Sequence, residues 1–421
     1  MILKSKRLLA TVCLIIASCI YRSFSHVNFL FGLLFPTDRL DTPHEVANYN
    51  ARLLMEENVW YLDNYIDEME GEQAEKDPLT MEECAVVAEE ALTSRLKAQA
   101  MCIGNIDEKG TTEVIDVINK AFVDKSRPLN FAETPKFKSM KLPTVAEAEG
   151  IFGPEILSEK IPVKYQELAV SPSEENNAVE MTFQFGWDSD LGYEGIGILD
   201  LIGSFAYSSA YNQLRTKEQL GYIVSVYTRK TAGGTWGLTV VVQSSSKPPE
   251  YLEERIEAWI KTFIEELAEK SPETYATEAR GVVVQLLEED TKLSSEVGSW
   301  WNEIVVTETN HEKIREPAFD RLAKLADDLN PVADGLSETT LTGGKRKTAE
   351  ELKEHVISVF KKHCASESPE RRVMSSRVFS HASKTEYEES VTQPGVLSSY
   401  SDMRYLKEFL PTWPVAPYWR K

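Results

Sequence analysis

The run Leu214-Arg215-Thr216-Lys217-Glu218-Gln219-Leu220-Gly221-Tyr222-Ile223-Val224 lies between a helix-compatible stretch, residues 194–211, and a β-rich pattern, residues 222–243. Charged and aromatic side chains at such a junction can reach a cleft. Residues 222–228 and 235–242 read as two strands around Ala232-Gly233-Gly234, a hairpin connection. Upstream, Val179, Met181, Phe183 and Phe185 alternate with polar residues or threonine, the period-two pattern of a strand buried on one face. Residues 186–192 then read as a loop. Downstream, Ile256, Trp259, Ile260, Phe263, Ile264 and Leu267 mark a long amphipathic helix after Pro249. Ser271-Pro272 starts another, with Val282, Val283, Leu286 and Leu287 at helical spacing.

The central word Arg215-Thr216-Lys217-Glu218-Gln219-Leu220-Gly221-Tyr222 is followed at a fixed distance by Pro248-Pro249-Glu250-Tyr251-Leu252-Glu253-Glu254-Arg255. Together the two words closely resemble the C-terminal half of the insulysin-like peptidases, in the pitrilysin family of zinc metallopeptidases. Shorter words extend the resemblance: Arg52-Leu53-Leu54-Met55, Ser299-Trp300-Trp301, Asp402-Met403-Arg404-Tyr405-Leu406-Lys407 and Leu410-Pro411-Thr412-Trp413-Pro414. It runs from about Pro43 to the C-terminus and covers half of a full-length family member. The implied fold is α/β (α+β), with two metallopeptidase-type units, each an antiparallel sheet backed by helices. Residues 41–130 would be the end of a third domain, 131–160 a linker and 161–421 a complete C-terminal domain.

Thr42 reads as an N-cap with Pro43 at the first helical position and Glu45 closing a capping box, opening a helix to about Trp60. Residues 67–77 form an acidic connector, and Thr80 with Glu83 starts a second helix ending near Ser94. Residues 97–104 read as a strand and 111–122 as a helix with Val114, Ile115, Ile118, Ala121 and Phe122 in one stripe. Residues 125–162, with several prolines and few periodic apolar positions, read as linker and irregular strand. Residues 327–348 read as a polar, mobile surface loop. A helix over 349–361, a strand over 372–379 and a helix over 402–407 complete the pattern.

Composition narrows the classes. Among 421 residues, 42% are apolar and 27% charged, ordinary for a soluble globular chain, but the net charge is −21. That balance excludes the basic footprint of a nucleic-acid binder and favours basic or mixed-charge peptides. Cys84, Cys102 and Cys364 have neither disulfide-framework nor metal-knuckle spacing, while Cys13 and Cys19 fall in the first apolar run. Residues 1–40 are signal-like or a mispredicted start: Lys4, Lys6 and Arg7 precede an apolar run over 8–16 and the small residues Ala17, Ser18 and Cys19. The family resemblance implies a cytoplasmic location, whereas this segment allows a secretory route or a membrane anchor through residues 1–25.

Zinc chemistry in the family needs His-x-x-Glu-His on a helix, two imidazoles for the metal and a carboxylate to activate water. The sequence holds no such word; its histidines are His26, His44, His311, His355, His363 and His381, and no zinc ligands are identified among them. Ser204 lacks the flanks of a nucleophile elbow, Gly195-x-Gly197 meets Asp200 where a third glycine belongs, and Gly343-Gly344-Lys345-Arg346 lacks a phosphate-loop hydroxyl. Arg215 and Tyr222 remain. By resemblance they reach across to a zinc site in the N-terminal half, holding the substrate main chain and stabilising the oxyanion, with Tyr211 lining the same cleft. Residues alone leave a helix-end salt bridge and a packed tyrosine open. Lys217 and Glu218 read as a solvated pair.

The resemblance thus implies the substrate-clamping half of a zinc metalloendopeptidase acting on peptides, needing a catalytic N-terminal half or partner chain that brings the zinc. A non-catalytic peptide-binding or scaffold subunit of the same fold is the alternative, and a secreted acidic binding protein a third.

Overall fold

The hairpin expected around Ala232-Gly233-Gly234 forms one edge of a six-stranded sheet. The computed structural model of the chain describes residues 42–57, 86, 94–96, 101–129, 138–307 and 315–414. The strands are β1 (Val163–Leu168), β2 (Asn177–Trp187), β3 (Ile223–Thr231), β4 (Thr235–Ser244), β5 (Val373–Phe379) and β6 (Val396–Leu397). Their order is β3-β4-β2-β5-β1-β6. The expected antiparallel pairing holds for β3 with β4, β4 with β2 and β2 with β5. It fails at the other edge, where β1 runs parallel to both β5 and β6. Parallel neighbours need a long crossover, and the helical stretches between β1 and β5 supply one.

One sheet face carries the main core. Val179, Met181 and Phe183 of β2 have no exposed surface and pack with residues of α3 (Asp188–Ala210), α4 (Pro249–Glu269), α5 (Pro272–Leu286) and α7 (Ala349–Cys364), Phe263 and Phe360 among them. Ser271 caps α5 by accepting from the Thr274 amide, so Pro272 sits in the first turn as expected. A further helix, α6 (Arg315–Leu329), lies against α3.

The opposite face was expected to meet water, and it does not. Glu180, Thr182 and Gln184 are buried because helix α1 (Pro43–Met55) lies over β2 and β5. Asn48 donates to the Glu180 carboxylate at 2.9 Å and to the Tyr227 hydroxyl at 2.8 Å, while Gln184 accepts from the Leu142 amide at 2.8 Å. Buried polar groups need partners, and this cover supplies them. Alternating polar residues therefore mark a helix-covered face here. Helix α1 ends at Met55 instead of Trp60, where Glu56 turns extended and bridges to Ser139. The Thr42 capping box does not form, since its hydroxyl donates to the Glu45 carboxylate and caps no amide.

Two other expectations change. Within residues 125–162, read as linker, helix α2 (Val145–Phe152) carries a full capping box between Thr144 and Glu147. The loop over 330–347 is knit together rather than loose. Arg346, only 3% exposed, donates to the carbonyls of Ser337, Asp327 and Asn330 and to the Asp327 carboxylate, all within 2.9 Å.

The described residues divide into two compact units. The larger takes 42–57, 138–289, 302–307 and 315–414, so α1 joins the C-terminal sheet. The smaller takes the remaining described residues within 86–129 and 290–301. Its helix Glu108–Ala121 starts three residues before the expected point, because the Asp107 carboxylate accepts from the Gly110 amide at 2.8 Å. Arg95–Leu96 pairs in parallel with Arg127–Pro128, and residues 101–103 of the expected strand are not in a strand. The N-terminal apolar segment, the acidic connector and most of the second expected helix lie outside the described residues. Among the described residues no helix is long and apolar enough to cross a membrane.

Candidate functional site

Helix α3 does not stop at residue 211. It continues into a π-helical turn over Tyr211–Lys217, in which the Glu218 amide reaches the Gln213 carbonyl at 3.0 Å and the Leu220 amide reaches the Leu214 carbonyl at 3.0 Å. Leu214 and Leu220 are both buried, pinning the two ends of the turn to the core. A π turn is rare and locally unfavourable, and such turns collect at functional sites. Gln219 then takes a positive φ of 53°, and Gly221 passes against the Gln243 carbonyl before β3 begins at Ile223.

This path brings together the three residues singled out from the sequence. The Arg215 guanidinium carbon lies 4.7 Å from the Tyr211 ring centroid and 4.6 Å from that of Tyr222. Arg215 also donates to the Tyr211 hydroxyl. A cation between two aromatic rings is attracted by both π faces, so the pair of phenols orients the guanidinium. Tyr222 is 83% exposed, which rules out the packed-tyrosine reading. Tyr207, one helical turn before Tyr211, brings its ring to 6.2 Å from the Tyr211 ring and is itself half exposed. It was not singled out from the sequence, though its spacing of four from Tyr211 was visible.

The expected pairing of Lys217 with Glu218 is not formed. Glu218 accepts from Arg255 Nε at 2.6 Å, Arg255 Nη2 at 2.9 Å and Gln213 Nε2 at 2.7 Å. The Arg255 guanidinium holds the Glu218 carboxyl below the usual carboxylate range. Lys217 is exposed, while the bidentate Arg255 fork occupies the Glu218 carboxylate.

The histidines are scattered among separate partners. The His44 ring and amide both meet the Gln243 side-chain oxygen, at 3.0 and 3.2 Å. His355 lies 3.1 Å from Glu194, His363 stacks on Phe185 and His381 bonds the Ala169 carbonyl. His26 and His311 fall outside the described residues. Among the described residues no group of three His, Cys, Asp or Glu side chains could hold a metal ion, so they do not fit a zinc site. Ser204 donates to Glu278, not to a histidine. Asp200 is half-buried, and desolvation pushes its carboxyl up to about 6.

Comparison with known proteins gives the same direction. A family model described as PQQ synthase PqqF-like, C-terminal lobe domain 4, matches residues 201–301, the segment that holds the π turn, the hairpin and α4. Insulin-degrading enzyme from Mus musculus and from Homo sapiens are each 27% identical over 277 residues, 65% of this chain and 24% of theirs. The chain is similar to the C-terminal half of the insulysin-type peptidases. Protease 3 from Escherichia coli is 35% identical over 104 residues, 25% of this chain and 11% of that protein. The crystal structure of pitrilysin shares the fold, with a TM-score of 0.62 at 19% identity, covering 93% of this chain and 35% of that one. The matched region spans about a quarter of the length of these insulin-degrading enzymes. The insulysin-like chain thus corresponds to part of the family's C-terminal half, and the family is one of zinc metallopeptidases.

Proposed function

We propose that this insulysin-like chain is the substrate-clamping half of a peptidase, its catalytic zinc supplied by an N-terminal half or a partner chain. The observation that carries the reading is the Arg215 guanidinium held between the Tyr211 and Tyr222 rings beside an exposed phenol. A guanidinium has five donors in a fixed fork, and here one goes to Tyr211. Such a fork can grip a peptide carbonyl, while the Tyr222 hydroxyl offers one more donor. Donors fixed in advance need no reorganisation when negative charge develops on a carbonyl oxygen. The described residues do not fit zinc, so no step is assigned to this chain beyond binding and orienting the peptide.

The first test is equilibrium binding of a fluorescent unstructured peptide to the purified chain. Arg215→Ala removes a charged donor worth about 1.5–3 kcal/mol, or roughly ten- to a hundredfold in affinity. Tyr222→Phe removes a neutral donor and weakens binding by less, about three- to tenfold. Peptide binding that ignores both substitutions in folded protein contradicts the clamp and favours the scaffold alternative.

A further inference from the structure

We infer that Glu218 and Arg255 form a positioning latch that holds the π turn open and thereby places Arg215 between its two tyrosines. The inference about binding rests on the clamp proposed above, whereas the geometric part stands on the structure of the turn itself.

Two fixed points limit the path of the turn. Leu214 and Leu220 are core residues, and the segment between them has to bridge from the end of α3 to the start of β3. An α-helical path is the lower-energy local choice, since π turns are rare and short. Reverting to α-helical hydrogen bonding would shift each following residue by about 1.5 Å along the axis and about 100° around it. A guanidinium seated at 4.7 and 4.6 Å between two rings does not survive a displacement of that size.

Glu218 is placed to prevent it. It lies three residues after Arg215 and four before Tyr222, and its carboxylate ties two separate parts of the fold. Gln213 Nε2, inside the turn, is held at 2.7 Å, and both donors of Arg255, on α4, are held at 2.6 and 2.9 Å. The α4 end is rigid because Ile256, Trp259 and Ile260 beside Arg255 are in the core. A bidentate pair fixes orientation as well as distance. The Gln213 carbonyl receives the Glu218 amide, so one residue pair closes the wide turn through both backbone and side chain. Neither Glu218 nor Arg255 is required to touch a peptide for this role.

Arginine side-chain NMR of the full chain tests it, with Arg215→Ala identifying the resonance. In the wild type the Arg215 Nε–H signal is displaced upfield by the currents of the two flanking rings. Glu218→Gln keeps the size of the side chain but removes the charge that binds Arg255. The latch predicts that the Arg215 signal then moves downfield towards its solvent-exposed position and that peptide affinity falls roughly tenfold, as expected for small misplacement of a binding group. Arg255→Lys, which keeps the charge and loses the fork, gives an intermediate displacement and serves if Glu218→Gln does not fold. A folded Glu218→Gln or Arg255→Lys protein with an unmoved Arg215 signal overturns the latch. A moved signal with unchanged peptide affinity supports the latch and contradicts the clamp, so the two failures are distinguishable.

Discussion

Replacing Gly221 by alanine should be the most damaging single-methyl addition near the site. An added Cβ would lie 1.7 Å from the Gln243 carbonyl oxygen, 2.8 Å from its carbonyl carbon and 3.2 Å from Ser244 Cα. All three atoms are backbone, and β4, to which they belong, is held on both sides by β3 and β2. No side chain can swing aside, so the connection into β3 must move away from β4. Overpacking typically costs about 1–3 kcal/mol, and a backbone obstacle puts this site near 3 kcal/mol. At about 1–2 °C per kcal/mol for a chain of this size, the midpoint of thermal unfolding followed by far-UV circular dichroism should drop by roughly 3–6 °C. Gly281→Ala is the internal control. It lies inside α5, exposed, with nothing within 4 Å of an added Cβ, so it should stabilise by about 0.5–1 kcal/mol. Finding both variants within about 0.5 kcal/mol of wild type, the range of ordinary surface changes, would refute the reasoning.

Two further outcomes follow from buried charge. Burial, with some help from Lys362, lowers the His363 pKa to about 4 in the folded chain, against 6.5 unfolded. The unfolded state therefore binds the proton first, so His363 leaves stability intact above about pH 6.5 and lowers it as pH falls from there towards 4. His363→Phe, which preserves the ring stacked on Phe185, should flatten that part of the pH profile in urea titrations, and an unchanged slope would contradict it. Arg377, 1% exposed, donates twice to Glu253 at 2.6 Å and approaches Glu250 at 3.3 Å. Arg377→Met strands buried carboxylates and should cost about 3–5 kcal/mol, while Arg377→Met with Glu253→Leu should recover most of it. Equal losses for the single and double variants in urea unfolding would show that the pair is not what holds α4 to β5.

How much of this could be read in the sequence differs by element. The alternation of Val179, Met181, Phe183 and Phe185 found β2, and the Ala232-Gly233-Gly234 turn found the hairpin, because local period and turn chemistry encode both. The parallel pairing of β1 with β5 was not legible, since residues 163 and 374 meet only through the assembled fold. The covered polar face was missed for a similar reason: Glu180 looks like a solvent residue until Asn48 and Arg229 are placed beside it. Helix α2 had a local signal, Thr144 with Glu147, that was outweighed by the surrounding prolines. At the site, Arg215 and Tyr222 were found through the central word and Tyr211 through the resemblance that the word carries, and the structure places Arg215 against both rings. The π turn and the Glu218–Arg255 pair were not, because the two residues are 37 apart and neither propensity nor pattern links them.

The most direct test of the clamp is reconstitution. The purified chain would be assayed for zinc content and for cleavage of a quenched peptide, alone and mixed with a separately produced, zinc-loaded N-terminal half from the insulysin family. The account predicts cleavage that rises on mixing and falls about a hundredfold with Arg215→Ala, as for loss of an oxyanion-type donor. Formation of the mixed complex without any gain in cleavage, or a gain that Arg215→Ala leaves untouched, would contradict it.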